Sequence, residues 1–515
     1  MGTLWVSGDG MVVTAVHVKQ GDLPERVEDG VHAQGEPKSR ERRAGVRALI
    51  VAEKRRNGRG AKGGRKVDAV KARQAEAQPE AVPARAIRAG EIRARWAWTE
   101  PSVWTERMLT ALEEGVKGGR WYSLMDKVYH QPNLRAAFAK VKVNNGAAGV
   151  DRQTIEMFER HLEANLGKLG EELRTGTYRP RPVKRVWIDK PGKPGEQRPL
   201  GIPCVRDRVV QAALVYVLEP IFEKEFAAQS YGFRPGRGAK EALRRVVELE
   251  REAHTWIVDA DLKSYFDTIP QKPLLARVQA KVSDGKVLSL IETFLRQGVL
   301  EEAKYWIPEE GTPQGGVLSP LLSNLYLDEL DHQMAAEGIE MVRYADDFVL
   351  LCRSETEAQR ALERVRQWTT QAGLTLHPDK THVVDSTRRG GFDFLGYHFE
   401  RGKRWPRQKS WKKLKDTLRA KTQRNEGRSL RVIIEDVNKT LVGWFEYFKH
   451  SYPITFERVD GWTRMRLRSI LRQRSHRKGR SNRRDHQRWP NAFFTKQRLY
   501  STTSAFALAR QSSRR

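Results

Sequence analysis

The tetrapeptide Tyr344-Ala345-Asp346-Asp347 lies between the apolar stretches Met341-Val342 and Phe348-Val349-Leu350-Leu351. Runs of β-branched and aromatic residues on either side of a short polar turn predict a β-hairpin, with two adjacent carboxylates at its tip. An isolated Asp-Asp pair reads as a solvated acidic turn. A second acid-tipped strand changes that reading. Trp256-Ile257-Val258-Asp259-Ala260-Asp261 is apolar and ends in acid, and Leu262-Lys263-Ser264-Tyr265-Phe266-Asp267 follows it. Two such strands predict a shared divalent cation. A strand has period two, so Asp259 and Asp261 face the same way, and spacing alone does not choose between them.

Hard cations such as magnesium take oxygen ligands and are held by one or two carboxylates together with substrate phosphates. Two of them can activate an attacking oxygen and stabilise a leaving oxygen in an in-line phosphoryl displacement. Nucleotide polymerisation is a displacement of this kind.

Further segments extend the pattern, in chain order: Gln197-Arg198-Pro199-Leu200-Gly201-Ile202-Pro203, Ser230-Tyr231-Gly232-Phe233-Arg234-Pro235-Gly236, Gly311-Thr312-Pro313-Gln314-Gly315-Gly316-Val317-Leu318-Ser319-Pro320, Gly373-Leu374-Thr375-Leu376-His377-Pro378-Asp379-Lys380-Thr381 and Phe394-Leu395-Gly396-Tyr397. With the acidic strands, they resemble the successive motifs of a bacterial group II intron-encoded reverse transcriptase and maturase, over about residues 120 to 500. The resemblance implies an α+β fold: right-hand polymerase fingers and palm with an antiparallel palm sheet, then a mainly helical thumb and maturase domain. It implies that Asp261, Asp346 and Asp347 form the catalytic triad holding two Mg2+ ions, with Asp259 a structural neighbour. It also implies that Phe266, five residues after Asp261, is a steric gate against a 2′-hydroxyl.

By the same resemblance, Lys190 and Arg198 flank a Pro/Gly-rich fingers turn and embrace a deoxynucleoside triphosphate. An Arg fork suits phosphate oxygens and Lys supplies a point charge. Gln314 and Gly315 are expected to line the pocket of the nascent base pair, where a missing side chain permits close backbone approach. Lys380 matches a position that gives a proton to departing pyrophosphate.

Composition fits a polyanion partner. The 515 residues carry 94 Lys and Arg against 64 Asp and Glu, a net charge of +30, as expected of a protein that covers nucleic acid. No apolar run approaches the roughly 18 to 20 residues that span a bilayer. Two cysteines, Cys204 and Cys352, are too few for a disulfide framework or a structural zinc site. The N-terminus lacks a secretory signal, and Val6 stands where a myristoylation pattern needs Ser or Thr. These features predict a cytoplasmic protein, and the resemblance implies a bacterial one, nucleoid-associated during mobility.

Five regions are expected. Residues 1–100 read as a disordered, low-complexity basic leader, since from Glu25 to about Ala94 they are rich in Arg, Lys, Glu, Ala and Gly, a composition that cannot bury a core. Residues 101–170 read as a helical extension, with Leu124, Val128, Leu134, Phe138 and Val141, then Met157, Leu162, Leu166 and Leu169, at three- and four-residue steps. The run from Asn144 to Asp151 interrupts it as a loop. Fingers and palm occupy 171–397, and thumb and maturase 398–480. Residues 401–488 hold 27 Lys and Arg against 8 Asp and Glu, a density suited to duplex backbone. Residues 481–515 read as a short basic tail with no endonuclease expected, since it has no paired cysteines and only His486 within it and His476 just before it.

The leading expectation is an RNA-directed DNA polymerase that also binds group II intron RNA to promote splicing and retrohoming. Its partners would be the intron, an RNA template with DNA primer, target DNA and deoxynucleoside triphosphates. An RNA-binding splicing cofactor without polymerase activity is the alternative, and the intact carboxylates weigh against it. An RNA-directed RNA polymerase shares the palm logic, and Phe266 weighs against that.

Overall fold

The computed structural model describes residues 84–189, 195–425, 427–477 and 483–512. Most of the 1–100 leader and all of Lys190 lie outside these. Residues from Ala89 onward pack as one unit.

Helices come first: α1 (Ala84–Arg95), α2 (Glu106–Glu114), α3 (Met125–Val128), α4 (Gln131–Asn144), α5 (Ile155–Glu159) and α6 (Leu162–Thr175). The leader expectation fails at its end, because Ile92 and Trp96 are buried there. Two large apolar side chains anchor the end of a stretch whose average composition is that of a solvated chain. Leu134, Phe138 and Val141 of α4 are buried as their spacing predicts, and Phe138 stacks on Phe158 at 5.4 Å. Met157 is 47 % exposed instead, since the short α5 turns Ile155 and Phe158 inward.

The fingers sheet has β1 (Val183–Asp189) between β2 (Gln197–Ile202) and the parallel β4 (Val299–Glu301), with β5 (Lys304–Trp306) at the edge. Helices α7 (Val205–Glu223) and α8 (Ala239–Arg251) lead to the palm. α7 is buried along most of its length, the polar Asp207, Arg208 and Gln211 included.

The palm sheet runs β6 (Glu340–Tyr344), β7 (Asp347–Cys352), β3 (Trp256–Asp261), β8 (His382–Asp385) in spatial order, and every pairing is antiparallel. Strand alternation sends its two faces into different cores. Val258, Ala260, Met341, Phe348 and Leu350 join the core containing α7 and α9 (Tyr265–Thr268), α10 (Gln271–Gln279), α11 (Gly285–Leu295), α12 (Ser319–Ala336) and α13 (Glu355–Gln371). Ile257, Val342, Val349 and Leu351 join the core of the C-terminal region. Asp259, Asp261 and Asp347 share the parity of this second face, so the acids look toward the C-terminal half.

A three-stranded sheet follows: β9 (Phe392–Phe394), β10 (Tyr397–Glu400) and β11 (Lys403–Pro406). The domain boundary expected at 397 divides this sheet, and the helices begin only at α14 (Gln408–Lys421). α15 (Leu430–Phe448) and α16 (Ile454–Arg474) complete the bundle. Trp444, Phe445, Tyr447 and Phe448 are core. Tyr447 donates its hydroxyl to Leu395 O at 2.7 Å, and Tyr397 donates to Tyr447 O at 2.7 Å, tying the sheet to α15.

The expected C-terminal tail is in fact helical and docked: α17 (Arg483–Arg488), α18 (Asn491–Lys496) and α19 (Thr502–Ser512). Phe506 stacks on Phe456 at 4.6 Å. Asp460 of α16 accepts from Thr502 N at 2.9 Å, Thr502 Oγ1 at 2.6 Å and Ser501 Oγ at 2.7 Å, which caps α19 from another helix. A carboxylate at a helix N-terminus satisfies donors that have no partner in the helix itself. Asp460→Ala is expected to cost about 3 kcal/mol, the scale of buried charge-assisted hydrogen bonds. Hydrogen exchange would show it as fast exchange of the α19 amides, and unchanged protection would contradict the capping role.

Candidate active site

The register of the palm sheet builds the site. Asp261, last in β3, is paired directly with Asp347, first in β7. Asp346 sits in the two-residue turn between Tyr344 and Asp347, which are themselves paired. Ala345 takes φ +59° there, a left-handed conformation that a non-glycine residue adopts only under constraint. Period two and the turn thus bring all three predicted acids to one end of the sheet.

They line a cleft of about 1510 Å³ with Asp259, Asp379, Lys380, His382 and Asp393. The rest of the lining comes from β11 and the segments after it, including Arg407, Trp411, Lys412, Lys415, Arg419 and Trp462. Burial pushes the Asp347 carboxyl well above the usual range, and repulsion from Asp259, Asp346 and Asp261 adds to this while Arg407 opposes it. Burial and then the charges of Asp393 and Asp261 push Asp259 up to about 7, against Arg407 and Lys380. Crowded carboxylates of this kind are costly without a cation.

Lys380 supplies one positive charge, with Nζ 2.6 Å from Asp261 Oδ2. The same turn donates His377 N to Asp261 O at 2.7 Å, so both the backbone and the side chain of Asp261 are held. Among the described residues, no three His, Cys, Asp or Glu side chains already converge as a metal cage. The fit is to a hard cation whose coordination shell is completed by water and substrate phosphate. Oxygen donors alone, crowded and mutually repelling, are the ligand set such an ion takes.

The predicted nucleotide-binding residues divide. Lys380 lines the cleft, whereas Arg198, Phe266, Gln314 and Gly315 do not. Phe266 is 5 % exposed and meets Tyr265 edge-on at 5.5 Å, so its ring is core here. Its carbonyl accepts from Thr312 N at 2.7 Å. Arg198 on β2 is half-buried and lies near Lys413 of α14, whose pKa falls through burial and the charges of Arg198 and Lys409.

Gln314 and Gly315 sit against β2. Gln314 O accepts from Gly201 N at 2.6 Å, and Gly315 has φ +106°. A Cβ on Gly315 would lie 2.2 Å from Gly201 O. Close backbone approach does occur at Gly315, and its partner is the fingers strand. Gly315→Ala therefore faces both strain and a backbone clash, and a loss of about 2–4 kcal/mol is expected in denaturant unfolding. An alanine variant as stable as the parent would show that the loop moves freely off β2.

Asp259, to which the resemblance gives only a structural role, lines the cleft, as do Arg407 and Asp393, which no motif singles out. The parity of Asp259 was the available signal. Arg407 and Asp393 lie too far along the chain for any spacing to link them to the acids.

Residues 188–399 match the family described as Reverse transcriptase (RNA-dependent DNA polymerase), and residues 411–489 match the Group II intron, maturase-specific domain. The chain is 33% identical to Protein YkfC of Escherichia coli (strain K12) over 353 residues, covering 60% of this chain and 86% of that protein. It is 38% identical over 212 residues to the Group II intron-encoded protein LtrA of Lactococcus lactis subsp. cremoris, covering 41% of this chain and 34% of LtrA. An uncharacterized 91 kDa protein in the cob intron of Schizosaccharomyces pombe is 30% identical over 311 residues, covering 48% of this chain and 38% of that protein. With a polymerase palm and a maturase domain joined in one chain in this order, the protein belongs to the group II intron-encoded reverse transcriptase and maturase family.

Proposed function

We propose that the protein copies RNA into DNA at the Asp261, Asp346 and Asp347 site, and that its C-terminal half holds group II intron RNA for splicing and carries it into DNA. The observation that carries this reading is the pairing of Asp261 with Asp347, beside Asp346 in the turn, at the floor of a cleft whose other wall is basic. Two Mg2+ ions bound by these carboxylates would activate the primer 3′-hydroxyl and stabilise the leaving pyrophosphate. The His377–Thr381 turn orients Asp261 through its backbone and through Lys380. Lys380 is then placed to move from Asp261 to a phosphate oxygen when substrate enters. Arg198 and Lys190 would bind the triphosphate from the fingers.

Phe266, Gln314 and Gly315 would act on the nucleotide from the β2 side. That role requires β2 and the Gly311–Gly316 loop to shift together, since their backbones interlock. Template with primer, target DNA and deoxynucleoside triphosphates are the expected partners. No helix among the described residues is long and apolar enough to cross a membrane. The site of action is read as the bacterial cytoplasm, at the nucleoid during DNA insertion.

Deoxynucleotide incorporation on an RNA template with magnesium, lost on chelation and restored by magnesium, tests the polymerase. Splicing support with no incorporation under any divalent ion would favour the cofactor reading.

A further inference from the structure

The turn carrying Asp346 and Asp347 is held from behind by a buried cation. Arg343 of β6 pairs with Phe348, so it lies on the sheet face opposite Asp347 and Asp261, toward α12. Its side chain is wholly buried. A buried guanidinium without partners is costly, so where its donors go is informative.

Nε donates to Asp331 Oδ1 at 2.8 Å and Oδ2 at 3.0 Å, and Nη2 donates to Asp331 as well. Nη1 donates to Asn324 Oδ1 at 3.0 Å and to the carbonyl of Ala345 at 2.9 Å. Asp331 and Asn324 are both on α12 and fully buried. Asn324 Nδ2 donates in turn to Gly232 O at 2.7 Å. A Cβ on Gly232 would stand 2.3 Å from Ala345 N, so this segment presses on the turn from a second side. Backbone bonds from Tyr231 N to Arg343 O at 2.8 Å and from Arg343 N to Gln229 O at 2.9 Å fix its register.

We propose that Arg343, anchored by Asp331 and Asn324, is a positioning residue that holds the Ala345 carbonyl and so aims the Asp346 and Asp347 carboxylates at Asp261. This rests on the reading of those acids as a metal site. Stability alone does not account for the network, because a buried ion pair can often be replaced by apolar residues of similar volume at little cost. An apolar pair cannot donate to Ala345 O. The left-handed Ala345 needs surrounding structure to hold it, and the only Arg343 donor directed at the turn supplies that hold.

The test uses Mn2+, whose free ion is read by electron paramagnetic resonance, with the full chain and a primer–template duplex. Arg343→Lys keeps the charge beside Asp331 and loses the second reach to Ala345. The double variant Arg343→Met, Asp331→Leu removes both charges and keeps an apolar fill. In variants that retain the parent circular dichroism, half-saturating Mn2+ is expected to rise about tenfold or more, the scale of losing a residue that orients metal ligands. Duplex affinity is expected to stay unchanged. Folded variants with Mn2+ affinity within about twofold of the parent, or loss of both folds, would overturn the positioning role. Asp346→Asn, Asp347→Asn is the control. If it binds Mn2+ like the parent, the metal-site reading falls and this inference with it; if it loses Mn2+ while the Arg343 variants do not, this inference alone falls.

Discussion

Asp347→Asn is expected to cut deoxynucleotide incorporation on an RNA template by about a thousandfold or more, without lowering the unfolding temperature measured in chelator. The first half follows from the chemistry proposed for the site. A metal ion contributes several kcal/mol of transition-state charge stabilisation, and each 1.36 kcal/mol is about tenfold in rate. Asp347 is paired with Asp261 and adjoins Asp346, so its loss removes one of the three carboxylates gathered at that end of the sheet. The second half follows from electrostatics. Asp347 is crowded by Asp259, Asp346 and Asp261, and its charged form is disfavoured in the folded state. Asn keeps the shape and removes one of the repelling charges, so the metal-free protein loses nothing. Intron RNA binding is expected to persist, because the basic wall lies on other elements. A variant retaining a tenth of parental incorporation, or one that unfolds several degrees earlier in chelator, would show that Asp347 is structural.

The palm was legible because its signals are local. Trp256–Asp261 forms β3 with the bounds of its acid-tipped apolar run, and the turn at Ala345–Asp346 follows from two apolar runs around a polar pair. Strand parity alone puts Asp259 and Asp261 on one face. What stayed hidden depends on partners distant in the chain. Arg343 reads as an ordinary basic residue near a turn, and only the passage of α12 behind the sheet reveals Asp331 and Asn324 beneath it.

The strands of the β9–β11 sheet are three or four residues long, too short for periodicity to separate from loop. α19 looked like tail because its anchor, Asp460, is some forty residues earlier on α16. Phe266 shows the converse limit. A motif gives it a role at the nucleotide, while its packing places the ring in the core of this conformation.

Neutralising Lys412, Lys415, Arg419 and Arg458 together, each to Gln, is expected to weaken template–primer binding on the order of a hundredfold at low salt and to flatten its salt dependence. These four side chains line the same cleft as the acids, on the C-terminal helices. Lys415 lies over Trp411 at 5.7 Å and Arg419 over Trp462 at 5.8 Å, so the cations are braced by rings as well as by solvent. Arg419 also pairs with Asp416 at 2.6 Å, but both groups are about half exposed, and such a pair is worth too little to keep the guanidinium from a phosphate. Each phosphate neutralised by a protein cation releases counterion, and the slope of log affinity against log salt is about −0.9 per contact on duplex DNA. Removing four contacts should therefore reduce the slope by about three to four units. Fluorescence anisotropy over a series of potassium chloride concentrations would measure both quantities. Parallel salt lines for parent and variant would mean that these cations meet solvent rather than nucleic acid, and the cleft would lose its second wall as a binding surface. Weaker binding with an unchanged half-saturating Mn2+ would instead separate the two functions of the cleft, with charge on the thumb side holding the duplex and carboxylates on the palm side handling the metal.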